Sequence, residues 1–301
     1  MAVSQFGGLH SGERAFLIGN GPSLEETPLH LLDDEICIAM NKIDMLYDET
    51  SWRPTYYLQV NESPPEETVE STRYHASEGF QCFIAEDLRD QLPDGDAVTY
   101  LDRIYPDEDV YEAVTRGDYQ QVWSEDLSEH VYLYKTSMYV AAQLASYMGF
   151  DELYFLGCDL YPVFKPVPYR LLSRGSDPNA FASGDNTVAD YRRFVTKSEH
   201  PFSTAVNGVW YKLLYGTRFM SVLYRTLEAL DRVPKTHFAE GYKAGKLYNE
   251  KLNNELVKIH RSITAIGEEE GFDCYNATVG GDLEVYDRVD IEAIAEKKQA
   301  S

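Results

Sequence analysis

Basic residues are scarce. The 301-residue chain carries 27 Lys and Arg against 50 Asp and Glu, a formal net charge of -23 spread along its whole length rather than gathered in one tail. Such a surface repels nucleic acid and anionic membranes, so neither is expected as a partner. It suits a salt-rich cytoplasm whose counterions screen the self-repulsion, and a halophilic archaeal source is the expectation. Cysteine is also sparse. Cys37, Cys82, Cys158 and Cys274 have no short metal-ligand spacing, each lies in a run that reads as a strand, and they are expected to be small buried hydrophobes in a reducing compartment. Long apolar runs are missing too: nothing is long enough to span a bilayer, and "MAVSQFGGLHSGER" lacks a basic start followed by an apolar stretch. A cytoplasmic location is expected, and the oligomeric state is left open.

What the sequence does have is a series of short, continuous apolar runs: "AFLIG", "ICIAM", "TYYLQV", "FQCFIA", "AVTYL" and "LYFLG". Continuous runs are those of strands covered on both faces. Before the last of them, "TSMYVAAQLASYMGF" places Met138, Ala141, Ala142, Ala145 and Met148 on one helical stripe, with Gly149 where the helix should stop. From about residue 160 to 236 the texture changes, with prolines punctuating a stretch rich in Ser, Gly, Asp and aromatics. A long helix is expected from about Lys246 to Glu270, followed by a last extended segment at "FDCYNAT". The reading is α/β: a Rossmann-like, mostly parallel sheet with helices on both faces and a lid-like insertion. Residues 1–159 would form the nucleotide-binding body, 160–236 the irregular insertion and acceptor region, and 237–301 the completion of the body.

The stretch "LIGNGPSL" has Gly19, Asn20, Gly21, Pro22 and Ser23 at a strand end. It lacks the third glycine of a dinucleotide fingerprint and the Gly-Lys-Ser/Thr of a phosphate loop. Gly19 and Gly21 permit positive φ and close backbone approach, and Ser23 with Glu26 has the spacing of a helix capping box. A helix amino terminus ready for an anionic group is therefore expected, an ordinary tight turn being the alternative. Asn41 and Asn61 follow the next two strands, which puts three carboxamides on one carboxyl edge, where open α/β sheets bind ligands. Thr136 and Ser137 stand at a helix start, where capping alone explains them. Gly157 and Asp159 end a further strand, and Asp159 is open between structural anchor, metal ligand and acceptor for a substrate hydroxyl. His237, in "KTHFAEGY", is open between a structural role and that of general base.

Taken in order, "FLIGNGPSL", "IAMNKIDMLY", "RPTYYLQVNES", "TSMYVAAQLASYMGFDELYFLGCDLY", "THFAEGY" and "NATVGGDLEVYDRVD" resemble the 6-hydroxymethylpterin diphosphokinase MptE-like family. That family is itself similar to CMP-sialic acid-dependent sialyltransferases and motility-accessory-factor glycosyltransferases. The resemblance implies a transferase of one of two chemistries. One is transfer of an acidic sugar from a CMP donor to an acceptor hydroxyl, with no required cofactor or metal. The other is transfer of diphosphate from ATP to a hydroxymethyl pterin, with magnesium. The first is favoured; a non-catalytic nucleotide-binding protein is a third reading. By the resemblance, Asn20, Asn41 and Asn61 line the nucleotide and its sugar, Ser137 sits near the phosphate or sugar carboxylate, Asp159 near the ribose and Tyr161 near the leaving phosphate, while His237 is the base. The implied partners are a nucleotide or nucleotide-sugar and a glycan or small-molecule acceptor.

Overall fold

The structure, a computed structural model, describes residues 1–92, 95–107, 110, 119–160, 237–238 and 250–299. The chain divides into two compact units, one of Met1–Asp159, His237–Tyr242 and Lys258–Ser301, the other of Leu160–Thr236 and Lys243–Val257. Tyr161 and nearly all of the expected insertion lie outside the described residues.

The first unit holds an eight-stranded, all-parallel sheet. Along the chain its strands are β1 (Arg14–Ile18), β2 (Ile36–Met40), β3 (Tyr56–Gln59), β4 (Gln81–Ala85), β5 (Val98–Leu101), β8 (Glu152–Leu156), β9 (Asp273–Asn276) and β10 (Asp287–Arg288). Across the sheet the order is β10-β9-β8-β1-β2-β3-β4-β5. A separate two-stranded parallel ladder joins β6 (Arg103–Ile104) to β7 (Val131–Tyr132). The fold is thus the expected Rossmann-like α/β sheet. Its strands are apolar throughout because both faces are covered. Phe16, Ile18, Cys37, Ala39, Tyr57, Cys82 and Ile84 share one cluster with Leu24, Leu29, Leu32, Trp52, Ile291 and Ile294. On the other face Phe155 of β8 meets the ring of His260 edge-on, at 5.7 Å between centroids. Each fully buried Leu, Ile or Phe contributes about 2 kcal/mol of apolar burial.

Among the described residues there are four α-helices: α1 (Glu66–Ser77), α2 (Ser137–Met148), α3 (Glu250–Glu270) and α4 (Ile291–Gln299). In α2 the Thr136 side chain accepts from the Met138 N–H, and Gly149 closes the helix in the left-handed region at φ 88°, as its sequence requires. The α3 helix is a single run to Glu270, with Ile259, Ile263 and Ile266 buried. Among the described residues no helix is long and apolar enough to cross a membrane. The cysteines are free thiols, three of them buried. Cys158, however, lies beyond the end of β8 rather than inside a strand. Burial pushes the Cys82 and Cys274 thiols up to about 12, which keeps them unreactive.

The two ends of the strands differ in construction. At the amino end the Arg14 guanidinium donates two bonds to Glu35, at 3.1 and 2.7 Å. Beside it His10 bridges Glu13 (2.5 Å) and the Tyr56 hydroxyl (2.7 Å) and stacks on Phe150. At the carboxyl end the strand order reverses between β1 and β8, since successive strands run from β1 to β5 on one side and from β8 to β10 on the other. A reversal of this kind opens a crevice in parallel sheets.

Candidate functional site

The crevice begins where β1 and β8 end. Gly19 N–H donates to the Leu156 carbonyl (2.8 Å) and Gly21 N–H to the Gly157 carbonyl (2.9 Å), so the two exit loops run side by side. No side chain fits between them. A Cβ on Gly19 would lie 2.4 Å from the Gly157 oxygen, and one on Gly21 1.9 Å from Asp159 Oδ2. Close approach, rather than positive φ, is what requires these glycines: Gly21 has φ -70°, and the left-handed residue is Gly157, at φ 60°.

The expected capping box does not form. Pro22–Glu25 is one turn of 3-10 helix without a side-chain cap, and Glu26 ends it. The Ser23 hydroxyl turns instead to Asp159 Oδ2 at 2.6 Å, and the Ser23 N–H donates to the same oxygen at 3.3 Å. The protein's own carboxylate thus fills the place where the sequence suggested an external anion, and the short turn offers no anion seat of its own. Burial raises the Asp159 carboxyl above its ordinary value, with the Ser23 bonds and the charge of Arg288 pulling against it. Gly281 lies beyond Asp159: a Cβ there would stand 3.4 Å from Oδ1. Its loop is tied down by Arg288, which donates to the carbonyls of Thr278 (3.3 Å), Gly280 (2.6 Å) and Gly281 (2.9 Å).

On the other side of β1, Asn41, Asn61 and Ser137 form a hydrogen-bonded row, with Asn20 tied to the backbone next to Asn41. Asn20 Nδ2 donates to the Met40 carbonyl at 3.1 Å, while its buried Oδ1 has no hydrogen-bond partner among the described residues. Asn61 Nδ2 donates to Asn41 Oδ1 at 2.6 Å, and the Ser137 hydroxyl donates to Asn61 Oδ1 at 2.9 Å. Thr136 caps α2 and stands one residue from this row. Two further residues belong here that motif reading missed. Gln59 is fully buried at the end of β3, accepts from the Asn61 N–H at 3.0 Å and leaves its Nε2 without a partner among the described residues. Lys42, next to Asn41, is buried as well, which is unusual for a lysine. An alternation count could have found Gln59, a polar residue inside an apolar run.

His237 belongs to the same unit. The N–H of its neighbour Phe238 donates to the Asn20 carbonyl at 3.2 Å, and Phe238 is buried in the cluster that also holds Ile18 and Leu24. Among the described residues no three His, Cys, Asp or Glu side chains converge as a metal site would require. A cavity of about 660 Å³ lies elsewhere, around Met1, Arg89, Asp96, Val98 and Tyr100 at the β5 edge, and includes none of the residues above.

No protein-family model and no curated protein matches the chain, so the family resemblance rests on the motifs alone. Among solved structures, the chain is similar to a MAf glycosyltransferase from Magnetospirillum magneticum AMB-1, with 12% identity and a TM-score of 0.45. The likeness covers 99% of this chain and 40% of that one, so the chain spans about two fifths of that protein's length.

Proposed function

We propose that the protein is a nucleotide-sugar-dependent glycosyltransferase of the sialyltransferase-like kind, taking a CMP-sugar in the crevice and acting in the cytoplasm on a glycan or glycoprotein acceptor. The observation that carries this is the split polarity of the crevice. In the Asn41, Asn61, Ser137 row both carboxamide oxygens already accept from the next donor, while both protons of Asn41 Nδ2 and the second proton of Asn61 Nδ2 stand beside the amino terminus of α2. Such a half suits phosphate or carboxylate. Across β1 the balance reverses, with the Asp159 carboxylate offering an acceptor to hydroxyl or amino groups. At the end of β1 itself the buried Asn20 Oδ1, unpartnered among the described residues, adds a second. A nucleotide joined to an acidic sugar has both kinds of group in one molecule.

In the reaction the acceptor oxygen attacks the anomeric carbon as the bond from that carbon to the phosphate oxygen breaks, and CMP leaves with the bonding electrons. His237 takes the acceptor proton. Donors of the asparagine row stabilise the charge that develops on the departing phosphate. Tyr161 is assigned to the same phosphate by the motif resemblance.

Titration calorimetry with CMP, a CMP-sugar, and ATP with magnesium tests the reading. Binding of CMP without ATP is expected. Magnesium-dependent ATP consumption on adding a hydroxymethyl pterin would replace sugar transfer by diphosphate transfer, and CMP binding without any turnover would leave a nucleotide-binding protein. His237→Ala should abolish turnover with CMP affinity nearly unchanged; full activity in that variant would make the histidine structural.

A further inference from the structure

Asn41 is one of three non-glycine residues in the left-handed region among those described, at φ 59°. That conformation costs about 1 kcal/mol and persists only where surrounding contacts impose it. The contacts are visible. The Tyr57 hydroxyl donates to the Asn41 carbonyl at 2.7 Å, and the Ser71 hydroxyl lies 2.9 Å from the same oxygen. The two are not equivalent. Ser71 has one proton to divide between Asn41 and the Asp44 carboxylate, which is also against it. Tyr57 faces a weaker rival. Thr72, whose own proton goes to the Thr68 carbonyl at 2.8 Å, can accept from it at 3.1 Å, but it is a neutral hydroxyl rather than a carboxylate, and the Asn41 carbonyl is closer.

The Tyr57 ring is itself immobile. It is fully buried in β3, and His75 of α1 stacks on it with centroids 3.8 Å apart and planes 12° apart. Being fully enclosed, its hydroxyl cannot touch a ligand. We infer that Tyr57 is a positioning residue: by holding the Asn41 backbone left-handed, it aims the Asn41 carboxamide at Asn61 and leaves the N–H groups of the row facing the crevice. This rests on the nucleotide reading only for its consequence; the geometry it asserts can be read without a ligand.

The test is Tyr57→Phe, which deletes one O–H and keeps the ring, with Ser71→Ala as a second variant and Cys82→Ala as a control from the same buried cluster. CMP affinity is read by calorimetry, and the side-chain amide resonances of Asn41 and Asn61 by NMR. Tyr57→Phe is expected to weaken CMP at least tenfold and to shift both amide resonances, Ser71→Ala to do less of each, and Cys82→Ala to lower the melting temperature with affinity and resonances unchanged. Wild-type CMP affinity in Tyr57→Phe would overturn the inference, as would equal effects from Cys82→Ala. A wild-type protein that binds no nucleotide would overturn the functional reading instead. The inference would then stand or fall on whether the Tyr57→Phe amide resonances shift or keep their wild-type positions.

Discussion

The amino and carboxyl ends of the sheet are both polar, but they are polar in different ways. At the amino end charges are matched: Arg14 forks onto Glu35, and His10 is held between Glu13 and Tyr56. At the carboxyl end the described residues include left-handed Asn41 and Lys135, a carboxylate raised by burial, and two buried atoms, Asn20 Oδ1 and Gln59 Nε2, without partners. A buried unpaired polar atom costs about 1–3 kcal/mol, so around β1 to β3 the carboxyl end carries an energetic debt, beside the crevice, that the paired charges of the amino end do not. The debt is what a ligand could discharge.

Acid gives the largest expected effect, because it attacks the core that joins the two ends. Burial lowers both His75 and His260 from 6.5 to about 4. Between those values the unfolded chain binds more protons than the folded one, so stability is full above pH 6.5 and falls as the pH drops toward 4, by up to about 3 kcal/mol per histidine. Chemical denaturation followed from pH 7 to pH 4 would show it; a flat profile would remove the claim. Gly19→Ala comes next, since its new methyl meets a backbone carbonyl that cannot move aside: a loss of about 3 kcal/mol is expected, against less than about 0.5 for Gly95→Ala, whose methyl would make only ordinary contact with Val98 at 3.9 Å.

Two smaller changes separate the ends by what they alter. Arg14→Met should cost about 2 kcal/mol by leaving Glu35 without this partner, and should not change CMP affinity. Ser137→Ala should cost about 1 kcal/mol and weaken CMP severalfold. If both variants lost affinity equally, the contrast between the ends would have no functional meaning. The smallest effect has the opposite sign. The raised Asp159 carboxyl favours the folded state only while protonated, and that contribution disappears as pH rises through its folded value. Asp159→Asn should therefore stabilise the protein at neutral pH by less than about 1 kcal/mol while weakening nucleotide binding, measured by thermal unfolding and calorimetry.

Much of the sheet is legible in the sequence because its strands, covered on both faces, are written as unbroken apolar runs. Helix α1 is not, since the residues it buries include Thr68, Ser71, Thr72 and His75, which leave no apolar stripe. Strand β10 is two charged residues, Asp287 and Arg288, and is equally silent. The asparagine row is legible as a coincidence of strand ends. The partner of Ser23 is not: local spacing suggested Glu26, while the residue that captures it lies 136 positions away. The same distance problem hides the bond from Phe238 to Asn20. Sequence spacing describes neighbours along the chain, and this crevice is made by neighbours across it.

The placement of β1 also bears on how the chain must be made. It lies between β2, which follows it closely, and β8, which is synthesised more than 130 residues later. In the finished sheet β8 covers the β1 edge, so a nascent chain in which β1 to β5 had paired before Glu152–Leu156 emerged would expose β1 as an outer strand, with Arg14 the one charge along it. The edge that β8 closes is thus the one whose late pairing matters most for keeping nascent chains apart.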